Sequence, residues 1–472
     1  MLTRRRVGRF VVGSAVALAV LAGITGVGVL TSMAETFPAA PPAQPPGEDA
    51  RLRPPQPPSG DRLTVAVVLG ATGSVAADVL IPYEVFARAP QFSVYTVART
   101  RDPVTLSGAV HVVPDRTFDD DNEPPDVVVV PAVADPAGED EAPLRAWVGE
   151  QAKSGSHILG ICAGSEVLAA SGVLDGRRAT SHWARIGSLA RSYPDVNWVR
   201  GHRYVQAGTV TTTGGITSGA AGALRVLEQL AGPEESARVG VDLGYPGWSL
   251  DGDTRIADHH FDVGDVPYGL NAAFPWSRPT IALALQDGVG EVEVAAAAEV
   301  YSGGSFAART LAVSPDGIVT TRHGLVLATH VADERLSAVD RVIAPGADAF
   351  ADLEPSLAAW AAAQKLPVEV PEAGSGDRFP FDPYLRDLAR TTDRATALAT
   401  AKYMEYPTSH LDLHGQVWPW RSTLLLVAAV LVSIGAGWAA AAAPRFLTSR
   451  PARPSPKRCD DPAPPPVPAV VT

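Results

Sequence analysis

HILGICAGSEVLAASGVLDGRRATSHW, residues 157–183, decides how the rest of the chain is read. His157 to Ile161 form an apolar run of strand length that passes directly into Cys162. Ala163, Gly164 and Ser165 follow, then a helix-compatible stretch. Small side chains there permit a sharp strand-to-helix turn, which presents a nucleophile at its apex. Backbone N–H groups at the start of such a helix favour a thiolate and can stabilise a developing oxyanion. The plainer alternative is that Cys162 is a small buried hydrophobe.

On either side, strand-like and helix-like segments alternate. LTVAVVLG from Leu63, FSVYTVAR from Phe92, PDVVVVPA from Pro125 and TVTTTGG from Thr209 predict strands. VAADVLIPYEVFARA (75–89), APLRAWVGEQAKSG (142–155) and ITSGAAGALRVLEQLAG (216–232) predict helices, the first kinked or interrupted at Pro82. The expected class is therefore α/β, a parallel sheet sandwiched between helices, over residues 63–250.

The order repeats after a connecting segment, 251–279. TIALALQDGVGEVEVAAAAEVYSGG from Thr280 matches TVAVVLGATGSVAADVLIPYEVFARA from Thr64, placing Glu293 on Asp78 and Glu299 on Glu84. RATALATAKYMEYP similarly matches ESARVGVDLGYP. Residues 280–412 are read as a degenerate second copy of the unit, with KLPVEVPEAGSG where the cysteine turn would be. The two copies are expected to form an internal pseudo-dimer.

The ends of the chain are of another kind. Phe10 to Ala34 is free of charge and follows Arg4, Arg5, Arg6 and Arg9. Residues 10–34 are long enough to span a bilayer, but Ser32-Met33-Ala34 also resembles a signal-peptide cleavage site. Residues 418–444 form a second span, introduced by Trp418 and Trp420 and followed by Arg445, Arg450, Arg453, Lys457 and Arg458. With basic tails at 1–9 and 445–472, the positive-inside rule puts both termini in the cytoplasm and the body outside the cell membrane. A Pro-rich spacer, 35–62, holds the body off the bilayer. Cys459 lies in the C-terminal tail and cannot pair with Cys162 in this arrangement.

The formal charge of −12 gives a nucleic-acid partner no support. Phosphate-loop and dinucleotide fingerprints are missing, so no cofactor is expected. DGDTRIADHHFDVGD (251–265) holds His259 and His260 among carboxylates, without metal-ligand spacing, and is read as an acidic surface loop. Gly214-Gly215 before a helix could bind an anion, or simply turn the chain.

DVLIPYEVF, GICAGSEVLAASGVLDGRRATSHW and TTGGITSGAAGAL, with the opening strand, resemble the ThiJ/PfpI superfamily of the flavodoxin-like, class I glutamine amidotransferase-like fold. The resemblance is strongest to isocyanide hydratase-like proteins and the N-terminal domains of AraC-type regulators. It implies that Cys162 is the nucleophile, and that Asp78 is the acid beside it which holds or exchanges its proton. It places His182 on the histidine of the regulator pattern, as a base for the thiol or a hydrogen-bonding residue of the fold. Ala163 and Ala132 fall where backbone N–H groups meet an oxyanion; Ala132-Val133 replaces the usual glycines, which narrows the pocket. Glu84 is read as a packing residue of its helix. The helix-turn-helix expected of a regulator is missing after the domain. Two functions follow: a cysteine-dependent hydratase, hydrolase or amidase-like enzyme acting on a small molecule, or a non-catalytic ligand or redox sensor or scaffold at the membrane.

Overall fold

A computed structural model describes residues 4–41, 62–120, 123–245, 249, 252–336, 338–372 and 379–442. Most of the Pro-rich spacer, the basic C-terminal tail with Cys459, and Asp251 of the acidic loop lie outside the described residues. The chain divides into two compact units, Met1–Ala22 with Ala429–Thr472, and Gly23–Ala428.

The elements of the first half are α1 (Arg4–Thr36), β1 (Leu63–Val68), α2 (Ala76–Ala87), β2 (Phe92–Ala98), β3 (Val104–Leu106), β4 (Val110–Val112), β5 (Arg116–Thr117), β6 (Val127–Val130) and α3 (Ala142–Ser154). They continue with β7 (His157–Gly160), α4 (Gly164–Ala170), β8 (Arg178–Ala179), α5 (Trp183–Ser192), β9 (Asn197–Trp198), β10 (Tyr204–Ala207), β11 (Val210–Thr213), α6 (Ser218–Ala231) and α7 (Pro233–Leu243). Seven strands form one sheet in the order β10-β11-β7-β6-β1-β2-β5. Its pairs are parallel apart from β10 with β11. The alternation of side chains along a strand feeds two cores: Val65, Val67 and Leu69 point to one face of the sheet, Ala66 and Val68 to the other. Both faces are covered, which is why these strands read as continuous apolar runs.

The second half comprises α8 (Val266–Ala273), β12 (Thr280–Ala284), α9 (Glu291–Ala298), β13 (Arg309–Ser314), β14 (Ile318–Thr320), β15 (Val326–Ala328), β16 (His330–Val331), β17 (Arg341–Ile343), α10 (Pro355–Ala363), β18 (Val368–Glu369), α11 (Phe381–Thr391), α12 (Arg394–Tyr403) and α13 (Trp420–Ala442). Its parallel sheet runs β16-β13-β12-β17-β18. The neighbours of β12 thus stand as the neighbours of β1 do in the first sheet. Ile281, Leu283 and Leu285 join the same core as Val65, Val67 and Leu69, so one apolar core runs between the two sheets.

Two contacts relate the halves reciprocally. Glu84 on α2 accepts from the Val292 N–H at the start of α9 (2.8 Å). Glu299, just beyond α9, accepts from the Ala76 and Ala77 N–H groups at the start of α2 (3.1 and 3.5 Å). Both pairs are related by one offset, since 299 − 84 and 292 − 77 are each 215. The hairpins β3–β4 and β14–β15 join into a four-stranded sheet in which Val112 faces Leu327, again 215 apart (327 − 112). Contacts in which i meets j and j meets i are the signature of an isologous interface.

Pro82 does not interrupt its helix: α2 runs unbroken from Ala76 to Ala87. Proline removes the N–H that would bond the Asp78 carbonyl, but α2 is buried along nearly its whole length and tertiary packing keeps the helix continuous. Helix α4 is only seven residues long, shorter than its apolar sequence suggested.

Of the apolar ends, Arg9–Thr36 within α1 and Trp420–Ala442 (α13) are long and apolar enough to cross a membrane. Within the smaller unit, a Cβ on Gly13 would lie 2.8 Å from the Gly437 carbonyl oxygen, so the two helices meet there backbone to backbone. In the larger unit, the Ser32 hydroxyl near the end of α1 donates to the Ala272 carbonyl (2.8 Å), and Glu35 pairs with the buried Arg278.

Candidate active site

Strand β7 ends at Gly160, and the chain turns at Cys162 with φ +55°. A side chain in the left-handed region costs about 1–2 kcal/mol, so the surroundings must impose it. The Cys162 N–H donates to Thr213 Oγ1 at the end of β11 (3.2 Å). Its carbonyl accepts from Ser165 Oγ (3.0 Å) and Ser181 Oγ (3.1 Å). Gly164 is required because a Cβ there would run into the Val130 and Pro131 backbone at the end of β6. The strained cysteine turn expected from sequence is therefore present and pinned from three sides.

Asp78, in the first turn of α2, is fully buried. Its Oδ2 accepts from the Ala132 N–H (3.0 Å), while Oδ1 has no hydrogen-bond partner. Burial pushes its carboxyl well above the ordinary range, against the Ala132 hydrogen bond; nearby Glu299 adds to the rise. The Ala132 N–H expected to face an oxyanion is instead committed to Asp78, because the carboxylate packs directly under that turn. The Ala163 N–H acts on the Cys162 sulfur itself and favours its ionised form.

The expected thiolate is not what these surroundings favour. Cys162 is 5% exposed, and burial pushes its thiol well above the usual range. The charges of Asp78, Glu405 and Glu299 push the same way, outweighing the Ala163 hydrogen bond. The short α4 offers too little dipole to reverse this.

His182 is the N-cap of α5: Nδ1 accepts from the Ala184 N–H (3.3 Å), so Nε2 carries the proton and donates to the Tyr403 carbonyl (2.7 Å). Burial lowers its pKa to about 4, so the ring is neutral. Both nitrogens are engaged with backbone, and the ring stacks on Trp183.

Sequence reasoning missed the contribution of the second half. Glu299 accepts from Ser107 Oγ and is buried. Tyr403 stacks on Tyr268 (4.7 Å between centroids), and burial together with the Cys162 charge raises its hydroxyl to about 12. Glu405 accepts from the Gly215 N–H and from Ser218 Oγ (3.1 Å). The available signal was the likeness of RATALATAKYMEYP to ESARVGVDLGYP, which marks the stretch holding Tyr403 and Glu405.

In the acidic loop, Asp253 pairs with Arg255, Asp258 with Arg200, and Asp262 and Asp265 with Lys402. Among the described residues, Glu84, Glu291 and His323 bring ligand atoms within 4.8 Å of one another. Glu84 already binds Arg88, and Glu291 binds Thr321 Oγ1 (2.6 Å) and His323 Nδ1 (2.7 Å), so these acids already have partners within the protein.

A buried acid beside a strained strand-to-helix cysteine in a parallel α/β sheet defines a class of cysteine-centred α/β proteins. The profile of the DJ-1/PfpI family matches residues 64–229. An isonitrile hydratase of Pseudomonas putida is 35% identical over 175 residues, covering 36% of this chain and 72% of that protein. The chain belongs to the DJ-1/PfpI family. The HTH-type transcriptional regulator CdhR of Pseudomonas aeruginosa is 35% identical over 104 residues, 21% of this chain but only 31% of that protein. A ThiJ/PfpI family protein from Pseudomonas syringae, solved by crystallography, aligns with a TM-score of 0.37 at 25% identity, over 44% of this chain and 85% of its own.

Proposed function

We propose that this chain is a membrane-tethered, cysteine-dependent hydratase or hydrolase that acts outside the cytoplasm on a small molecule. The observation that carries the reading is Asp78, held by one carboxylate oxygen while the other is buried without a hydrogen-bond partner, close enough for its charge to act on Cys162. A buried polar atom without a partner is costly unless a substrate or water completes it. With an isonitrile-like substrate, the thiol sulfur would bond to the terminal carbon and Asp78 would relay the thiol proton to the adduct. Water would then add to that carbon, the C–S bond would break with the proton returned to sulfur, and a formamide would leave. Burial raises the Asp78 carboxyl above its ordinary range, which suits a group that exchanges a proton with the thiol. His182 serves as a positioning residue, fixing α5 and the end of α12.

The test is a screen of isonitriles, nitriles, amides and aldehydes against the detergent-solubilised full chain, with Cys162→Ser and Asp78→Asn alongside. Turnover in wild type that both variants lose supports the reading. A second reading, a ligand or redox sensor, is favoured by the committed Ala132 N–H, which is not available to an oxyanion. Absence of turnover together with reversible oxidation of Cys162 by peroxide would select it.

The second half is read as a degenerate copy, fused so that an internal pseudo-dimer replaces a partner chain; the shared offset of 215 and the common core support this. Membrane attachment is supported by apolar side chains exposed along both end helices, among them Phe10, Leu18, Leu30, Leu424, Leu431 and Trp438. Retention of α1, rather than its removal as a signal, is supported by the bonds of Ser32 and Glu35 to the body.

A further inference from the structure

The Gly214-Gly215 turn does hold an anion, and the anion belongs to the other half of the chain. The end of α12 lies along the turns that border Cys162. The Tyr403 carbonyl accepts from His182 Nε2 (2.7 Å), and the Met404 carbonyl accepts from the Thr217 N–H (3.2 Å) and Oγ1 (2.9 Å). The Glu405 carboxyl then rests on the turn before α6, accepting from the Gly215 N–H and Ser218 Oγ. A Cβ on Gly215 would lie 2.8 Å from Glu405 Cγ, so the glycines are needed because the carboxylate rests on their backbone.

Glu405 itself is out of place by the rules of helix ends. It has φ +55°, a left-handed conformation that suits glycine. The matching position in the first half, before the corresponding tyrosine, is Gly244 with φ +70°. A glutamate there accepts strain of about 1–2 kcal/mol and buries its carboxyl. Burial lifts that carboxyl to about 7, although Gly215 and Ser218 donate to it. Asp78 and Glu299, both buried, add their charge at the same sulfur.

We propose that Glu405, reaching in from the second half, sets the charge class of molecules admitted to Cys162: it occupies the Gly214-Gly215 turn before α6 and, with Asp78 and Glu299, excludes carboxylates and phosphates in favour of small uncharged molecules. This rests on the reading of Cys162 as a group that reacts with small molecules, but not on any particular turnover.

Iodoacetamide and iodoacetate test it, because they transfer similar groups and differ in charge. In each case an S–C bond forms, iodide leaves and the thiol proton goes to solvent. Labelling of the full chain in detergent is read at the Cys162 peptide by mass spectrometry, so that Cys459 does not interfere, with N-acetylcysteine as the free-thiol reference. Wild type should prefer iodoacetamide about tenfold more strongly than the reference thiol does at pH 8. Glu405→Gly, which suits the left-handed backbone, should bring the preference to within about threefold of the reference and alter the iodoacetamide rate less. Glu405→Gln, checked for native circular dichroism, should act likewise. A wild-type preference equal to the reference, or one unchanged in folded Glu405→Gly, overturns the proposal even where turnover is found. Loss of turnover with the charge preference intact overturns only the enzymatic reading. Labelling by neither reagent in the folded state overturns both.

Discussion

At the residue scale the decisive pair is Cys162 and Asp78, whose protonation is linked. When the carboxyl ionises first, the thiol must ionise beside a negative charge, which raises its pKa further. Asp78→Asn removes that charge, so alkylation of Cys162 should move to lower pH and become faster at a fixed pH. Turnover should fall at least about a hundredfold in the same variant, because the proton relay is gone. A variant that loses both reactivity and turnover would place Asp78 in folding rather than in chemistry. His182 makes a separate prediction. Its folded pKa is about 4, below the usual 6.5, so its stabilising state is the neutral ring. That stability is complete above pH 6.5 and is lost as pH falls towards 4, by up to about 3 kcal/mol. His182→Asn keeps an N-cap acceptor and cannot titrate. Urea unfolding should show a weaker acid-side loss, with turnover within about tenfold of wild type; a thousandfold loss would make His182 the base after all.

At the element scale, helices α2 and α9 begin under each other's glutamates. Glu84 takes the Val292 N–H, and Glu299 takes the Ala76 and Ala77 N–H groups together with Ser107. Either Glu→Ala change leaves buried donors without an acceptor and should cost about 1–3 kcal/mol in chemical unfolding. Glu84→Ala also strands Arg88, which bonds Glu84 through Nε (2.9 Å) and donates to the Asp242 carbonyl (2.9 Å). Only Glu299→Ala should also change the alkylation profile of Cys162, since only Glu299 acts on the sulfur. Equal effects on the thiol from both substitutions would argue against that assignment. The end of α1 is a second element with a measurable consequence. Cleavage after Ala34 would remove Ser32 and cut the chain next to Glu35, the carboxylate that pairs with buried Arg278. The intact mass of protein purified from membranes should therefore include residues 1–34; a mass beginning at Glu35 would show that α1 is a signal.

At the scale of the whole molecule, one apolar core joins two sheets that each cover only part of it. The full chain in detergent should accordingly behave as a monomer with respect to its body, with no concentration-dependent dissociation of Cys162 reactivity. The flanking charges predict the orientation. Reporters active only in the cytoplasm should work when fused at either terminus, and reporters active only outside should work when inserted within the body. An outward C-terminus would overturn the arrangement.

Much of this was written along the chain. The strand runs, the helix ends at Gly155 and Gly232, the cysteine turn and the two apolar stretches are local patterns, legible because each depends on spacing within a few residues. Asp78 was legible through its motif. What tertiary structure alone decided is the state of the site. Whether Cys162 is ionised depends on its burial and on acids 84 residues or more away in the chain (162 − 78 for Asp78), and whether Ala132 is free depends on where Asp78 packs. The position of Glu405 over Gly215 follows from folding one half against the other. Solvation and charge at a buried atom are sums over neighbours in space, and a linear pattern does not contain them.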